Sequence, residues 1–213
     1  MSTLSQPASL LLALRGLSRV VFDLDGTLYD TRDFDRAALT FVASWLRTQS
    51  GLALEALPED LWKRRESNRH YTRMFDDVLA ELGLPADWKD ECISRFRSYS
   101  GFELKTARSL KSELEMLRNG GCRLALVSNG YASIQERKLQ MLDLSKLFDL
   151  CVFCDPRVPE QLKPSFWAWS QLSDWRAQHA CAYVGDEAVD AAFAATGGVQ
   201  FLSFTFRSTS YED

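Results

Sequence analysis

Two aspartates, Asp23 and Asp25, close a short apolar run, Val20-Val21-Phe22, and Gly26 follows at once. The run reads as a buried strand. The acids then lie at its carboxyl end, where ligands bind in open α/β sheets. If the strand ran straight, both side chains would point to one face. Gly26 lets the backbone turn sharply just beyond them. Two neighbouring carboxylates repel, so both stay ionised only beside a cation, or one of them takes a proton. That suits Mg²⁺, which takes one or two carboxylates together with water and phosphate oxygens. Alone, the pair is equally compatible with a strand that runs into an Asx-type turn.

The same placement recurs further along. Arg123 to Val127 reads as a strand ended by Ser128-Asn129-Gly130, and Ala180 to Val184 as a strand ended by Gly185-Asp186. In a parallel sheet these ends share one edge. Asp23, Asp25, Ser128, Asn129 and Asp186 would then meet in one cleft. Helices that start at that edge offer backbone N–H groups to an anion.

The apolar pattern shows which elements carry these residues. Thr31 to Gly51 is helical, with Ala38, Val42, Trp45 and Leu46 on one stripe. A second helix starts near Pro58, with Glu59 and Asp60 in its first turn. A third covers Phe75 to Leu82 and stops at Gly83; a fourth begins near Ala86 and carries Trp88, Cys92, Ile93 and Phe96. Only helix signals lie between residues 33 and 101. An ordinary βα connection takes roughly 2–6 residues. Residues 33–101 are therefore read as an inserted helical subdomain, flanked by a core formed from 1–32 and 102–213.

Strand–helix alternation resumes beyond the insert. Leu110, Leu114 and Leu117 form a helical stripe closed by Gly120-Gly121. After the 123–127 strand come a helix over Ala132 to Leu142 and a strand over Leu150 to Phe153. Pro164 is read as opening a helix with Phe166, Trp167 and Leu172. After the 180–184 strand come a helix from Glu187 to Ala195 and a strand from Val199 to Phe204. Repeated β–α units with apolar strands imply α/β architecture with a doubly wound parallel sheet.

Composition excludes several classes. The chain has 213 residues, 46% of them hydrophobic, which fits one large domain or a core with an insertion. A net charge of −4 gives no footprint for nucleic acid or an anionic membrane. Met1 to Ser9 reads as a frayed polar tail. Leu10 to Leu14 is apolar but too short to span a membrane. It has no basic region before it, so no signal peptide is expected. The five cysteines are odd in number and widely spread. That argues for a reducing compartment, and a cytoplasmic location is expected. Cys151 and Cys154 form a C-x-x-C, but on a strand residues three apart face opposite sides, so a structural role is expected.

With these residues in place, the sequence resembles the haloacid dehalogenase superfamily of hydrolases. The likeness rests on Asp23-Leu24-Asp25-Gly26-Thr27-Leu28, Val127-Ser128-Asn129-Gly130, Lys163-Pro164 and Gly185-Asp186-Glu187-Ala188-Val189-Asp190. The four motifs stand in the family's order and span the core from Val20 to about Phe204. Gln135 and Lys138-Leu139 also resemble family members. The insert lies where the family's first class places a four-helix cap on its Rossmann-like core.

The resemblance implies roles. Asp23 would attack phosphorus and form an aspartyl-phosphate. Asp25 would protonate the leaving oxygen and then activate water. Ser128 and backbone N–H groups near Asn129 would bind phosphate oxygens, and Lys163 would neutralise charge. Asp23, the carbonyl of Asp25 and Asp186 would hold Mg²⁺, with Asp190 supporting Lys163 or the metal. Glu187 is a lesser metal candidate. An acid at position 25 favours phosphate esters, because a leaving alkoxide needs a proton and a leaving halide does not. The expected activity is a Mg²⁺-dependent phosphatase for a small phosphorylated metabolite: a sugar phosphate, a nucleoside monophosphate or a phosphoglycolate-like ester. A phosphomutase would keep the same residues, and a non-catalytic binder on this fold is the further alternative.

Arg65, Arg69 and Arg73 lie four apart in the insert, which would set them on one face of the second helix. Arg69, central in that stripe, is the candidate substrate contact. As a solvated face the stripe would instead pair with Glu59, Glu66 or Asp76.

Overall fold

The computed structural model describes residues 7–68, 72–100, 108–175 and 180–207. Val20, Val21 and Phe22 are fully buried. An all-apolar run of this kind needs both faces covered, as in a parallel sheet flanked by helices. The strands are β1 (Arg19–Phe22), β2 (Arg123–Asn129), β3 (Leu150–Cys154), β4 (Cys181–Gly185) and β5 (Gln200–Ser203). All pair in parallel, in the order β3-β2-β1-β4-β5. Phe22 stands level with Leu126 on one side and Val184 on the other. The chain winds outward from β1 through β2 and β3, then returns to build β4 and β5 on the opposite side. This is the doubly wound α/β sheet that the alternation implied. Such a reversal opens a crevice at the carboxyl ends of the two central strands, β1 and β4.

The N-terminal reading needs correction. Residues from Pro7 on are not a frayed tail but a helix, α1 (Pro7–Leu14), with Leu10 and Leu14 buried. Proline suits a first helical position, where its missing N–H costs nothing.

The chain divides into two compact units, Met1–Asp30 with Glu103–Asp213, and Thr31–Phe102. The described residues of the second unit form helices α2 (Thr31–Ser50), α3 (Leu57–Ser67), α4 (Met74–Glu81) and α5 (Trp88–Ser98). Leu39, Val42 and Leu46 of α2 meet Leu61 and Trp62 of α3, Val78 and Leu79 of α4 and Cys92 of α5 in a core of its own. The expected arginine stripe does not form. α3 ends at Ser67 and Asn68 is extended, so Arg73, which precedes α4, is not on the helix of Arg65. Arg65 Nε donates to Asp35 Oδ2 of α2 at 2.8 Å. Arg69 lies outside the described residues.

The first unit continues with α6 (Arg108–Asn119), α7 (Ala132–Met141), α8 (Trp167–Gln171) and α9 (Ala188–Gly197). Leu110, Leu114 and Leu117 are buried along α6, which packs against α1. On one face of the sheet Val21, Ala125, Val127 and Tyr183 pack against Trp169, Trp175 and Phe193. Trp169 stacks on Phe193 at 4.8 Å and donates its Nε1–H to the Phe193 carbonyl. Two boundaries differ from expectation. Ser128 and Asn129 belong to β2 itself, because pairing with β3 carries on to Cys154. Pro164 follows Lys163 through a cis peptide and does not open a helix; α8 is short and starts only at Trp167.

Candidate active site

β1 stops at Phe22, but the Asp23 N–H still donates to the Val184 carbonyl at 2.9 Å. This bond carries the buried Asp23 one step past the strand toward β4. The chain then turns at Gly26, whose φ of +85° favours glycine. Space demands glycine as well: a Cβ there would lie 2.3 Å from Asp186 Oδ2. Thr27 Oγ1 closes the contact by donating to Asp186 Oδ1 at 3.1 Å. The loop after β1 and the turn after β4 are thus packed directly on each other.

Lys163 enters from the segment after β3. Its main-chain N–H donates to Asn129 Oδ1 at 2.9 Å, so the Asn129 side chain anchors backbone here. Lys163 Nζ donates to Asp23 Oδ1 and Asp190 Oδ1, both at 2.6 Å, and to the Tyr183 hydroxyl at 3.0 Å. Burial works against the ammonium charge, but Asp23 above all, and Asp190 with it, hold Lys163 well above its ordinary range. Burial pushes the Asp23 carboxyl up to about 7 against the pull of Lys163, with Asp190 and Asp25 adding to the rise.

Asp190 is spoken for at both oxygens. Oδ1 receives Lys163 and the Tyr183 hydroxyl, and Oδ2 receives the N–H groups of Asp186 and Glu187 at 3.2 and 3.1 Å. Glu187 is the N-cap of α9 and forms a capping box with Asp190. One carboxylate therefore shapes the turn after β4 and steers Lys163.

Asp25 serves a second network. Its Oδ1 accepts from Lys138 Nζ at 2.6 Å and from the Tyr29 hydroxyl; its Oδ2 accepts from Gln135 Nε2 at 2.8 Å. Burial would raise its pKa, but Lys138, then Tyr29 and Gln135, outweigh it and hold the carboxyl below its ordinary value. The two acids do not act as a pair on one strand face. The strand has ended before them, and each has partners of its own. Gln135 Nε2 also contacts the buried Ser128 Oγ at 2.8 Å and the Asn129 carbonyl at 3.3 Å.

Asp23, Asp186 and Asp190 each offer an oxygen within 4.8 Å of one another, a spacing that fits one cation. An oxygen-only set suits a hard ion such as Mg²⁺. Since Asp190 is already doubly bonded, Asp23 and Asp186 are the carboxylates fitted to contact it. The side chain of Asp25 is committed to Lys138, Tyr29 and Gln135, which leaves only its carbonyl for such a role.

Sequence reasoning placed Asp23, Asp25, Ser128, Asn129 and Asp186 at one edge, and the resemblance added Lys163 and Asp190; the contacts above bring these side chains together. It missed Tyr183, Tyr29 and Thr27, and it gave Gln135 and Lys138 no task. A tyrosine in the middle of a fully buried strand is the signal for Tyr183, because its hydroxyl must find a partner.

The family model for haloacid dehalogenase-like hydrolases matches residues 17–198. The chain belongs to this family of hydrolases. Among solved structures it is similar to a protein from Thermotoga maritima provisionally assigned as a beta-phosphoglucomutase, with a TM-score of 0.67, 22% identity, and coverage of 92% of this chain and 88% of that one. It also resembles a haloacid dehalogenase-like hydrolase from Streptococcus pneumoniae, with a TM-score of 0.58, 21% identity and 89% and 85% coverage. A third neighbour is the L-2-haloacid dehalogenase of Xanthobacter autotrophicus with chloropropionic acid covalently bound, with a TM-score of 0.58, 17% identity and 87% and 76% coverage. No curated protein matches the chain by sequence.

Proposed function

We propose that this hydrolase is a Mg²⁺-dependent phosphatase acting on a small phosphorylated metabolite through an aspartyl-phosphate. The observation that carries the reading is the buried Lys163 held on Asp23, with Asp186 beside it at the crevice between β1 and β4. A buried carboxylate so placed is a nucleophile with its charge already balanced. Asp23 attacks phosphorus, the ester P–O bond breaks, and Asp25 gives a proton to the departing oxygen. Water then attacks the aspartyl-phosphate, Asp25 takes its proton, and phosphate leaves with Asp23 restored.

Held ionised by its three donors, Asp25 already has the form needed for the second step. For the first step it must carry a proton, and a phosphate dianion arriving beside it raises its proton affinity. Ser128, which accepts from Gln135, keeps its O–H to donate to a phosphate oxygen. Asp23, Asp186 and the Asp25 carbonyl would hold Mg²⁺, which supplies positive charge to the phosphate. The acid at Asp25 also separates this chain from halide displacement, where no leaving group needs a proton. We assign choice among sugar phosphates, nucleoside monophosphates and phosphoglycolate-like esters to the helical residues 33–101, because the core side chains described serve phosphate and metal.

The test is Asp23→Asn. Phosphate release from an aryl phosphate should disappear while the circular dichroism spectrum is retained. A folded variant with near wild-type turnover would remove the nucleophile and the mechanism with it.

A further inference from the structure

We infer that Lys138, with Gln135 one turn before it on α7, is a positioning residue that aims the carboxyl group of Asp25. This rests on the reading of Asp25 as proton donor and acceptor. Asp25 lies in the loop after β1, so the sheet does not fix the direction of its side chain. Its three donors differ in kind. Tyr29 belongs to the same loop and moves with it. Gln135 and Lys138 stand three apart on α7, hence on one face, and reach Asp25 from outside the loop. They grip opposite oxygens, Lys138 taking Oδ1 and Gln135 taking Oδ2. Two-point holding fixes rotation about the Cβ–Cγ bond, which a single donor would leave open.

Burial supports the assignment. The Lys138 side chain is only 11% exposed, although lysine ordinarily extends into water. Its Nζ lies 5.7 Å from the centre of the Tyr29 ring, so the long stem is held beside the second Oδ1 donor. Gln135 adds a further link: the same amide nitrogen touches Ser128 Oγ and the Asn129 carbonyl at the end of β2. α7 thus ties the direction of the acid to the strand end where phosphate oxygens would bind. A proton donor misaimed by about 1 Å can cost on the order of 100-fold in rate.

The test exploits the leaving group. An alkyl phosphate needs the proton from Asp25; 4-nitrophenyl phosphate expels a stable phenolate and does not. Lys138→Met keeps the stem over Tyr29 and removes the donor. It should lower kcat/KM for the alkyl ester by about 100-fold, the lower end of the range for general acid–base catalysis, and for the aryl ester by less than about threefold. Lys138→Gln restores a neutral donor and should recover about tenfold of the loss on the alkyl ester. Equal losses on both substrates, or no loss on either, would overturn the positioning role. Asp25→Asn run alongside separates the two ideas. The split must appear in kcat/KM, which ends with departure of the leaving group, while kcat falls on both esters because they share the water step; equal loss of kcat/KM would instead remove Asp25 as the proton donor.

Discussion

Tyr183 joins three groups in a space closed to water. Its hydroxyl receives Lys163 Nζ and lies 3.1 Å from Asp190 Oδ1 and 3.2 Å from the Val127 carbonyl. Removing it would take away the hydrogen it donates to Asp190 Oδ1 and free one hydrogen of the ammonium. Tyr183→Phe keeps the ring among Trp169 and Phe193, so packing survives. The expected cost is about 1–2 kcal/mol of stability and about a tenfold fall in kcat, as for one hydrogen bond to a charged group. Thermal melts and phosphate release measure the two; an unchanged kcat would show that Asp23 and Asp190 hold Lys163 unaided. Asp23 gives a pH test. Burial raises its carboxyl to about 7, and a metal needs it ionised, so protons compete with Mg²⁺ below that pH. Titration calorimetry in two buffers should find close to one proton released per Mg²⁺ at about pH 6 and almost none at about pH 8.5. Binding with no proton release at the lower pH would contradict this. Asp23, Asp25 and Asp186 were legible because they follow apolar runs, whereas Asp190, inside α9, came from the family resemblance. Tyr183 offered only the signal of a hydroxyl in a buried strand and no sign of its partners, which come from a loop, a helix and another strand: Lys163, Asp190 and Val127.

At the scale of elements, the site is made by two turns that touch. Gly26 lies against Asp186, and at Gly185 an added Cβ would fall 2.5 Å from the Asp190 side chain. Gly26→Ala therefore meets both a positive φ and a collision with a carboxylate. It should cost about 1–3 kcal/mol of stability and most of the activity, because Asp186 must move away from Asp23. Denaturant unfolding and Mg²⁺ affinity would both register it; a variant with wild-type values in each would mean that the loop can shift freely. Strand–turn–helix order was readable here because hydrophobic period and glycine agree. Readings failed where local signals were weak. α3 ends at Ser67 with no glycine or proline, only Asn68, a residue that can stop a helix but does not announce it. Pro164 looked like a helix start, yet the Lys163–Pro164 segment is shaped by Asn129, a contact 34 residues away. α1 escaped notice because Leu10 and Leu14 are buried by α6, which lies far along the chain.

For the whole molecule, the question is where the phosphoryl group goes after it reaches Asp23. Hydrolysis and transfer back to another hydroxyl of the same substrate use the same core groups, and likeness to the Thermotoga maritima protein is likeness of fold alone. A mutase has an added requirement: it must hold the dephosphorylated intermediate while the second hydroxyl comes into line. That calls for polar groups reserved for hydroxyl recognition. In the helical unit, several charged side chains among the described residues are instead engaged with each other, as in Arg36–Glu59, Arg64–Glu81, Arg65–Asp35, Lys89–Asp76 and Arg95–Glu91. In the core, Lys138 and Gln135 are committed to Asp25, and Lys163 to Asp23 and Asp190. On the proposed phosphatase reading, water takes the phosphoryl group. Phosphorus NMR on the best substrate from a panel of phosphorylated metabolites should show inorganic phosphate rising in step with substrate loss. An isomeric ester appearing without inorganic phosphate would make the enzyme a mutase, with the same Asp23 chemistry and a different acceptor.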